Sequence, residues 1–357
     1  MKIGILTHIQ HPIIEPFAGG LESFTYDLTQ SLKRRGHDVT LFAHPGSALE
    51  LHVTPLRAVG VHRSDVSRHE HDTLSTAFIA EHHAYLGLMQ AIDGYRFDVI
   101  FNNALHYVPV TLASMIDTPM LTVLHTPPFF EIINAVAASK AHGGAYCTVS
   151  QANAANWSDL APDCFVIPNG IDLNRWRPAI GPISDHAIWT GRLVPDKGLH
   201  FAIDAARLAG IPLRIAGQAL DPTYFDKQIA PRLGGSIVYL GHLSRAALID
   251  EVSHASVALV TPCWSEPFGL VAVEALATGT PIAAFARGAM PELVTPETGR
   301  LAAPDDVGAL ARAIIEARKL SRAACRLRAV ENWGLELMTS RYEALLSEVA
   351  SRVPVYD

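Results

Sequence analysis

The 357-residue chain has little charge, few cysteines and no long apolar run, and each shortage removes a class of function. Only 18% of its residues are charged, the formal net charge is -7 and no basic run occurs, so a nucleic-acid partner is not expected. Through Asp163 acidic residues outnumber basic ones, which leaves the first half without net positive charge to draw it to an anionic membrane. Peripheral membrane contact would need a local basic patch. Cys147, Cys164, Cys263 and Cys325 are spread out with no metal-ligand spacing and read as reduced, mostly buried thiols of a cytoplasmic protein. No stretch approaches the ~20 apolar residues of a membrane span. The N-terminus offers only Lys2 and a four-residue apolar run, a first strand rather than a signal peptide. Three site motifs are also missing: the Walker pattern, the G-x-G-x-x-G of nicotinamide and flavin binders, and the Asp-x-Asp pair of many metal-dependent sugar transferases.

What is present is apolar and periodic. Hydrophobic residues make up 49% of a chain too long for one ordinary core, so two domains are expected. Strand-like runs alternate with helical ones, at 2–7, 38–42, 98–102, 120–124, 145–149 and 164–167, then at 187–190, 213–216, 237–240, 257–260 and 281–284. Two series of short apolar strands spaced by helices predict two Rossmann-like domains with parallel sheets. Arg177-Pro178-Ala179-Ile180-Gly181-Pro182 breaks both patterns and is the linker candidate. The tail from Leu335 has the apolar spacing of an amphipathic helix.

The most informative segment is Ser265-Glu266-Pro267-Phe268-Gly269-Leu270-Val271-Ala272-Val273-Glu274. Pro267 and Gly269 keep Glu266 off a helix that begins near Gly269, and Glu274 falls about one turn inside it. A helix opening on glycine presents bare N–H groups and a positive dipole end to a phosphate, while the two carboxylates suit hydroxyls. The alternative is an ordinary capped core helix. Upstream, the strand at 187–190 runs into Gly191-Arg192-Leu193-Val194-Pro195-Asp196-Lys197-Gly198 and a further helix. That places Arg192 and Lys197 beyond the carboxyl end of a strand, where an α/β sheet binds a pyrophosphate. Each cation alone also fits a solvated surface residue. Near the N-terminus Gly19 and Gly20 precede a helix with the stripe Leu21, Phe24, Leu28 and Leu32, and they leave room for a phosphate.

Together these segments resemble the retaining glycosyltransferases of the two-domain GT-B fold, family 4 (glycosyl transferases group 1). The similarity also rests on Ala18-Gly19-Gly20-Leu21-Glu22, on Val123-Leu124-His125-Thr126 and on Val166-Ile167-Pro168-Asn169-Gly170-Ile171-Asp172. It implies an acceptor domain over 1–176, a nucleotide-sugar domain over 177–334 and a C-terminal helix over 335–357 that crosses back onto the first domain. It also implies roles. Gly19 and Gly20 would touch the diphosphate, Arg192 and Lys197 would neutralise it, and Glu274 would hold the ribose. Glu266 with the backbone of Phe268, Gly269 and Leu270 would hold the sugar and its phosphate, His125 would lie beside the reacting carbon, and Asn169 joins the donor set. The base would stack near Gly217, Gly241, His242 and Leu243. There Gln218-Ala219-Leu220 departs from the usual second glycine and proline, which leaves the base open.

The activity implied is transfer of a sugar from a nucleotide-diphosphate sugar, with a UDP-sugar favoured over GDP-mannose, to a hydroxyl on a glycan, a lipid-linked sugar or a small metabolite. Retention of the α configuration, with no cofactor and no metal, would follow. Fixed donors on the departing diphosphate are worth roughly 3 kcal/mol each, so the two cations could supply much of the barrier lowering. A glycosidase would need its carboxylates to face one another roughly 5–10 Å apart and has no use for the cations. An epimerase, a phosphorylase and a non-catalytic sugar-nucleotide binder share the architecture and remain the alternatives. His62, His69, His71, His82 and His83 cluster without metal-ligand spacing. His106 is a candidate for the acceptor pocket, and Trp157, Trp176 and Trp264 read first as packing residues, with Trp264 near enough to Glu266 to contribute to the site.

Overall fold

The structure, a computed structural model, describes residues 1–61, 75–139 and 144–352. The first seven strands are β1 (Lys2–Thr7), β2 (Asp38–Ala43), β3 (Thr54–Pro55), β4 (Val99–Asn103), β5 (Met120–Leu124), β6 (Ala145–Thr148) and β7 (Phe165–Val166). They form one sheet in the order β3-β2-β1-β4-β5-β6-β7. β8 (Ala187–Thr190), β9 (Leu213–Ala216), β10 (Ile237–Tyr239), β11 (Val257–Val260), β12 (Ile282–Phe285) and β13 (Gly299–Ala302) form a second, in the order β10-β9-β8-β11-β12-β13. Every strand pairing is parallel. Such sheets are covered on both faces, which is why β4, β5, β11 and β12 are buried along their whole length. β3 and β13, both at sheet edges, are additions to the strands expected from the sequence.

Both sheets are doubly wound, and each reverses its strand order once: β1 lies between β2 and β4, and β8 lies between β9 and β11. Ligands bind outside the carboxyl ends of strands at such a reversal. The loops after β1, β4, β8 and β11 should therefore build the site.

The helix Gly20–Arg34 buries Phe24, Leu28 and Leu32, and Gly36, at φ +86°, ends it in the left-handed conformation that glycine adopts without strain. The last helix, Leu335–Ala350, leaves the second half and packs on the first. Its fully buried Tyr342 sets its ring 5.9 Å from Phe24 and 5.2 Å from Phe101, both edge to face. Arg35 fixes the outer side through Glu336 at 2.7 Å and Glu343 at 2.8 Å. The chain between the sheets, including 177–182, carries no helix or strand.

His82, on the helix Thr76–Ala91, bonds the Tyr107 hydroxyl at 2.6 Å. His62, His69 and His71 fall outside the described residues, and among the described residues no group of His, Cys, Asp and Glu has the arrangement of a metal site.

Candidate active site

One cleft of about 570 Å³ opens between the two sheets at their reversal points. All the site positions named from the sequence line it except Gly241. Gly241 lies one layer back, where its carbonyl accepts from the Gly217 N–H at 2.9 Å and holds the two loops together.

The loop after β11 carries the densest chemistry. Glu266 is 8% exposed, and its Oε2 takes two bonds: from Lys197 Nζ at 2.6 Å and from Trp264 Nε1 at 2.9 Å. The Lys197 ammonium also lies 5.1 Å from the Trp264 ring centroid. Lys197 and Glu266, expected from the sequence to serve diphosphate and sugar separately, thus form one ion pair, which places a cation and a carboxylate side by side on the cleft wall. Trp264 is part of this wall, not packing alone. Trp157 is a packing residue, buried with its Nε1 donating to the Thr126 carbonyl at 2.9 Å, whereas Trp176 is buried but also reaches the cleft.

Gly269 caps the helix Leu270–Ala277 at φ +93°, and a Cβ there would collide with Met290 Cε. Only glycine fits that combination of dihedral and contact. Glu274 follows one turn in, and its carboxylate makes no hydrogen bond or ion pair with another described residue. Burial pushes its carboxyl up to about 7, and Asp27 adds to the rise while the Arg245 cation opposes it. A buried carboxyl with a raised pKa and no side-chain partner among the described residues marks this wall as a candidate ligand site.

Arg192, after β8, is exposed, lines the cleft and makes no ion pair with another described residue. From the other side, Gly19 and Gly20 come close to the second half: a Cβ on Gly20 would stand 2.8 Å from Leu270 Cδ1. The first-half loop and the Gly269 helix therefore touch across the cleft.

His125, in the loop after β5, is 9% exposed and packs edge to face on Phe24 at 5.0 Å. Its Nε2 is buried without a partner, and burial pushes its pKa down to about 3, so the ring is neutral at physiological pH. The Asn169 side-chain oxygen is likewise buried and unpaired. His106 lines the first-half side, stacked on Tyr85 at 4.4 Å and Tyr107 at 4.8 Å, and burial lowers its pKa to about 4. Gln10, His11, Glu81 and Phe129 share that side.

The sequence is matched, in succession, by the family Glycosyltransferase Family 4 over residues 18–175 and by Glycosyl transferases group 1 over residues 174–331. The chain belongs to the family 4 glycosyltransferases. A glycogen synthase of Mycobacterium tuberculosis is 28% identical, with 88% of this chain and 85% of the relative aligned. The MMP alpha-(1->4)-mannosyltransferase of Mycolicibacterium hassiacum is 33% identical over 58% of this chain and 54% of its own length. Among solved structures, Anabaena HepE in complex with UDP-glucose superposes with a TM-score of 0.76 at 19% identity, covering 98% of this chain and all of that one. A sucrose-phosphate synthase from Thermosynechococcus elongatus gives 0.75 at 21% identity, covering 98% and 99%. The fold is thus GT-B, and the family 4 enzyme is a transferase that uses nucleotide-sugar donors.

Two features of this transferase have no motif in the sequence. One is the pair His8 Nε2–Glu22 Oε1 at 2.9 Å, which fixes the loop after β1 against the helix Gly20–Arg34. The other is Arg245, 7% exposed, which reaches across the cleft wall to Asp27, Ser23 and Glu15. Its position after the cap residue Ser244 marks a helix start and nothing more.

Proposed function

We propose that the protein transfers a sugar from a nucleotide-diphosphate sugar to a hydroxyl with retention of the α configuration and without a metal. The supporting observation is the Lys197–Glu266–Trp264 cluster set in one cleft with the exposed Arg192 and the Gly269 helix start. Residues 1–176 would hold the acceptor, 177–334 the donor, and 335–357 would tie the two together in the cytoplasm.

Glu274 accepts from the ribose hydroxyls, while the base lies against Gly217, His242 and Leu243. Arg192, Lys197 and the Gly269 helix start face the diphosphate, with Gly19 and Gly20 approaching from the first half. Glu266 accepts from hydroxyls of the sugar. As the bond from the anomeric carbon to the diphosphate oxygen breaks, its electron pair goes to the diphosphate, whose growing charge the two cations stabilise without a metal. The acceptor oxygen attacks the same face of the sugar, and its proton passes to the departing phosphate. Neutral His125 lies beside the reacting carbon and adds no charge to the oxocarbenium-like centre.

UDP-glucose is the favoured donor class, since a solved relative of this fold holds it, and GDP-mannose is the alternative. The acceptor belongs to the glycans, lipid-linked sugars or small hydroxylated metabolites. The test incubates the protein with UDP-, GDP- and ADP-sugars in EDTA and a panel of neutral and phosphorylated acceptors. Nucleoside-diphosphate release with an α-configured product by NMR is expected. Turnover that needs Mg²⁺, or a β-configured product, would overturn the mechanism.

A further inference from the structure

Arg245 opens the helix Arg245–His254 in the second half, yet the groups its guanidinium bonds and stacks on among the described residues lie in the first. Nη1 reaches Asp27 Oδ1 at 3.1 Å, Nη2 donates to Ser23 Oγ at 3.0 Å, and Nε lies 3.3 Å from Glu15 Oε1. The guanidinium also stacks 4.6 Å from the Phe17 centroid and 5.9 Å from that of Tyr26. Two of these partners, Ser23 and Asp27, stand on the helix whose first residue, Gly20, touches Leu270. On the other flank of the cleft Glu292 accepts from the Gln151 and Ala152 N–H groups at 3.0 and 2.5 Å, and Ser150 donates to the Pro267 carbonyl at 2.5 Å. The walls are thus joined on both sides of the cleft.

The two joints differ. Glu292 meets backbone N–H groups, which any sequence supplies, whereas Arg245 meets side chains, which only particular residues supply. Desolvation raises the Asp27 carboxyl above its ordinary range even beside the cation, so the pair is costly to bury. Replacing both partners of such a pair by apolar groups is about neutral, whereas removing one leaves the other's charge buried and uncompensated, so the pair acts as a register pin between the halves. Arg245 also borders the cleft together with Glu274. The same side chain therefore joins the donor wall to the helix that faces the donor phosphates.

We propose that Arg245 is a positioning residue that closes the donor cleft, holding the Gly20–Arg34 helix in register against the half that carries Glu274. This rests on the donor site proposed above. Without Arg245 the free protein should populate an open arrangement, and the apparent affinity for a nucleotide should fall by the closed fraction that remains.

The test is small-angle X-ray scattering of the full chain, wild type, Arg245→Met and Asp27→Ala, each with and without UDP, or GDP if UDP does not bind. The wild type should keep one radius of gyration in both conditions. Both variants should be larger without nucleotide and return to the wild-type value with it, and their dissociation constants by calorimetry should rise about tenfold, as for a state closed one time in ten. Variants as compact as the wild type without nucleotide would overturn the clasp. Failure of the donor site would look different: no nucleotide would bind even the wild type, while the size difference without ligand would persist. Asp27→Ala removes the partner from the opposite wall and serves if Arg245→Met does not fold. Arg245→Lys keeps the charge but cannot reach Ser23 and Asp27 together, and is expected to fall between wild type and Arg245→Met.

Discussion

Replacing Glu274 by Gln should stabilise the free protein and cripple the enzyme, and the two effects should separate with pH. Burial lifts the Glu274 carboxyl from its ordinary 4.5 to about 7. At 1.36 kcal/mol per pH unit, keeping that group ionised above pH 7 costs the fold about 3 kcal/mol. The sign follows from proton counts. Between about pH 4.5 and 7 the folded chain holds this proton and the unfolded chain does not, so stability from this group falls as pH rises and levels off above 7. Glutamine keeps the shape and carries no charge. Urea unfolding at pH 8 should therefore show Glu274→Gln more stable than wild type by up to about 3 kcal/mol, with an unchanged m-value, and the gap should close toward pH 5. Donor binding moves the other way, because hydrogen bonds to a charged carboxylate are worth about 1.5–3 kcal/mol and the amide forfeits most of that. The wild-type dissociation constant for the donor should rise by up to about tenfold per pH unit below 7, as the carboxylate takes up its proton, and the variant should show no such slope. A variant equally destabilised at pH 5 and pH 8 would refute the assignment, since it would make Glu274 a structural acceptor rather than a strained, ligand-facing carboxylate.

Two further substitutions probe the same wall. Lys197→Ala should lower kcat by about a hundredfold or more, as expected for loss of one fixed donor to the leaving group. Glu266 is buried and would keep only the Trp264 Nε1 bond, so losing its cation should also cost the fold about 1–3 kcal/mol; a large drop in Tm with normal kcat would show the pair to be structural. Gly269→Ala meets both a left-handed dihedral and the Met290 methyl group, and should cost about 2–4 kcal/mol on calorimetric unfolding as well as donor affinity. A stable Gly269→Ala variant would show that the loop can re-form without glycine.

Much of this architecture was legible in the residue order. The parallel strands announced themselves as short apolar runs between helical stretches, because a strand buried on both faces has no polar alternation to blur it. The edge strands β3 and β13 escaped notice for the opposite reason: Thr54–Pro55 has two residues and a proline, and Gly299–Ala302 is buried only at its two ends around Arg300 and an exposed Leu301, so neither carries a continuous apolar signal. The Gly269 helix start and the placing of Glu274 one turn inside it followed from Pro267, Gly269 and the apolar spacing. What escaped was every relation between distant segments. Lys197 and Glu266 are 69 positions apart and share a proton-donating bond, and Arg245 lies 218 positions from Asp27. Nothing in either neighbourhood hints at the other.

The sequence by itself determined the local rules: which stretches form strands, where helices begin and end, and which loops carry glycine, cation or carboxylate. These depend on side-chain period, glycine dihedrals and capping, all of which act within a few residues. Tertiary structure decided the chemistry of those groups. Whether Glu266 is paired, whether Glu274 is charged at pH 7, whether His125 is neutral and whether Arg192 is free depend on burial and on neighbours brought in by the crossing of two sheets. Desolvation and Coulomb attraction act through space, so they are fixed only once the two halves meet at the cleft.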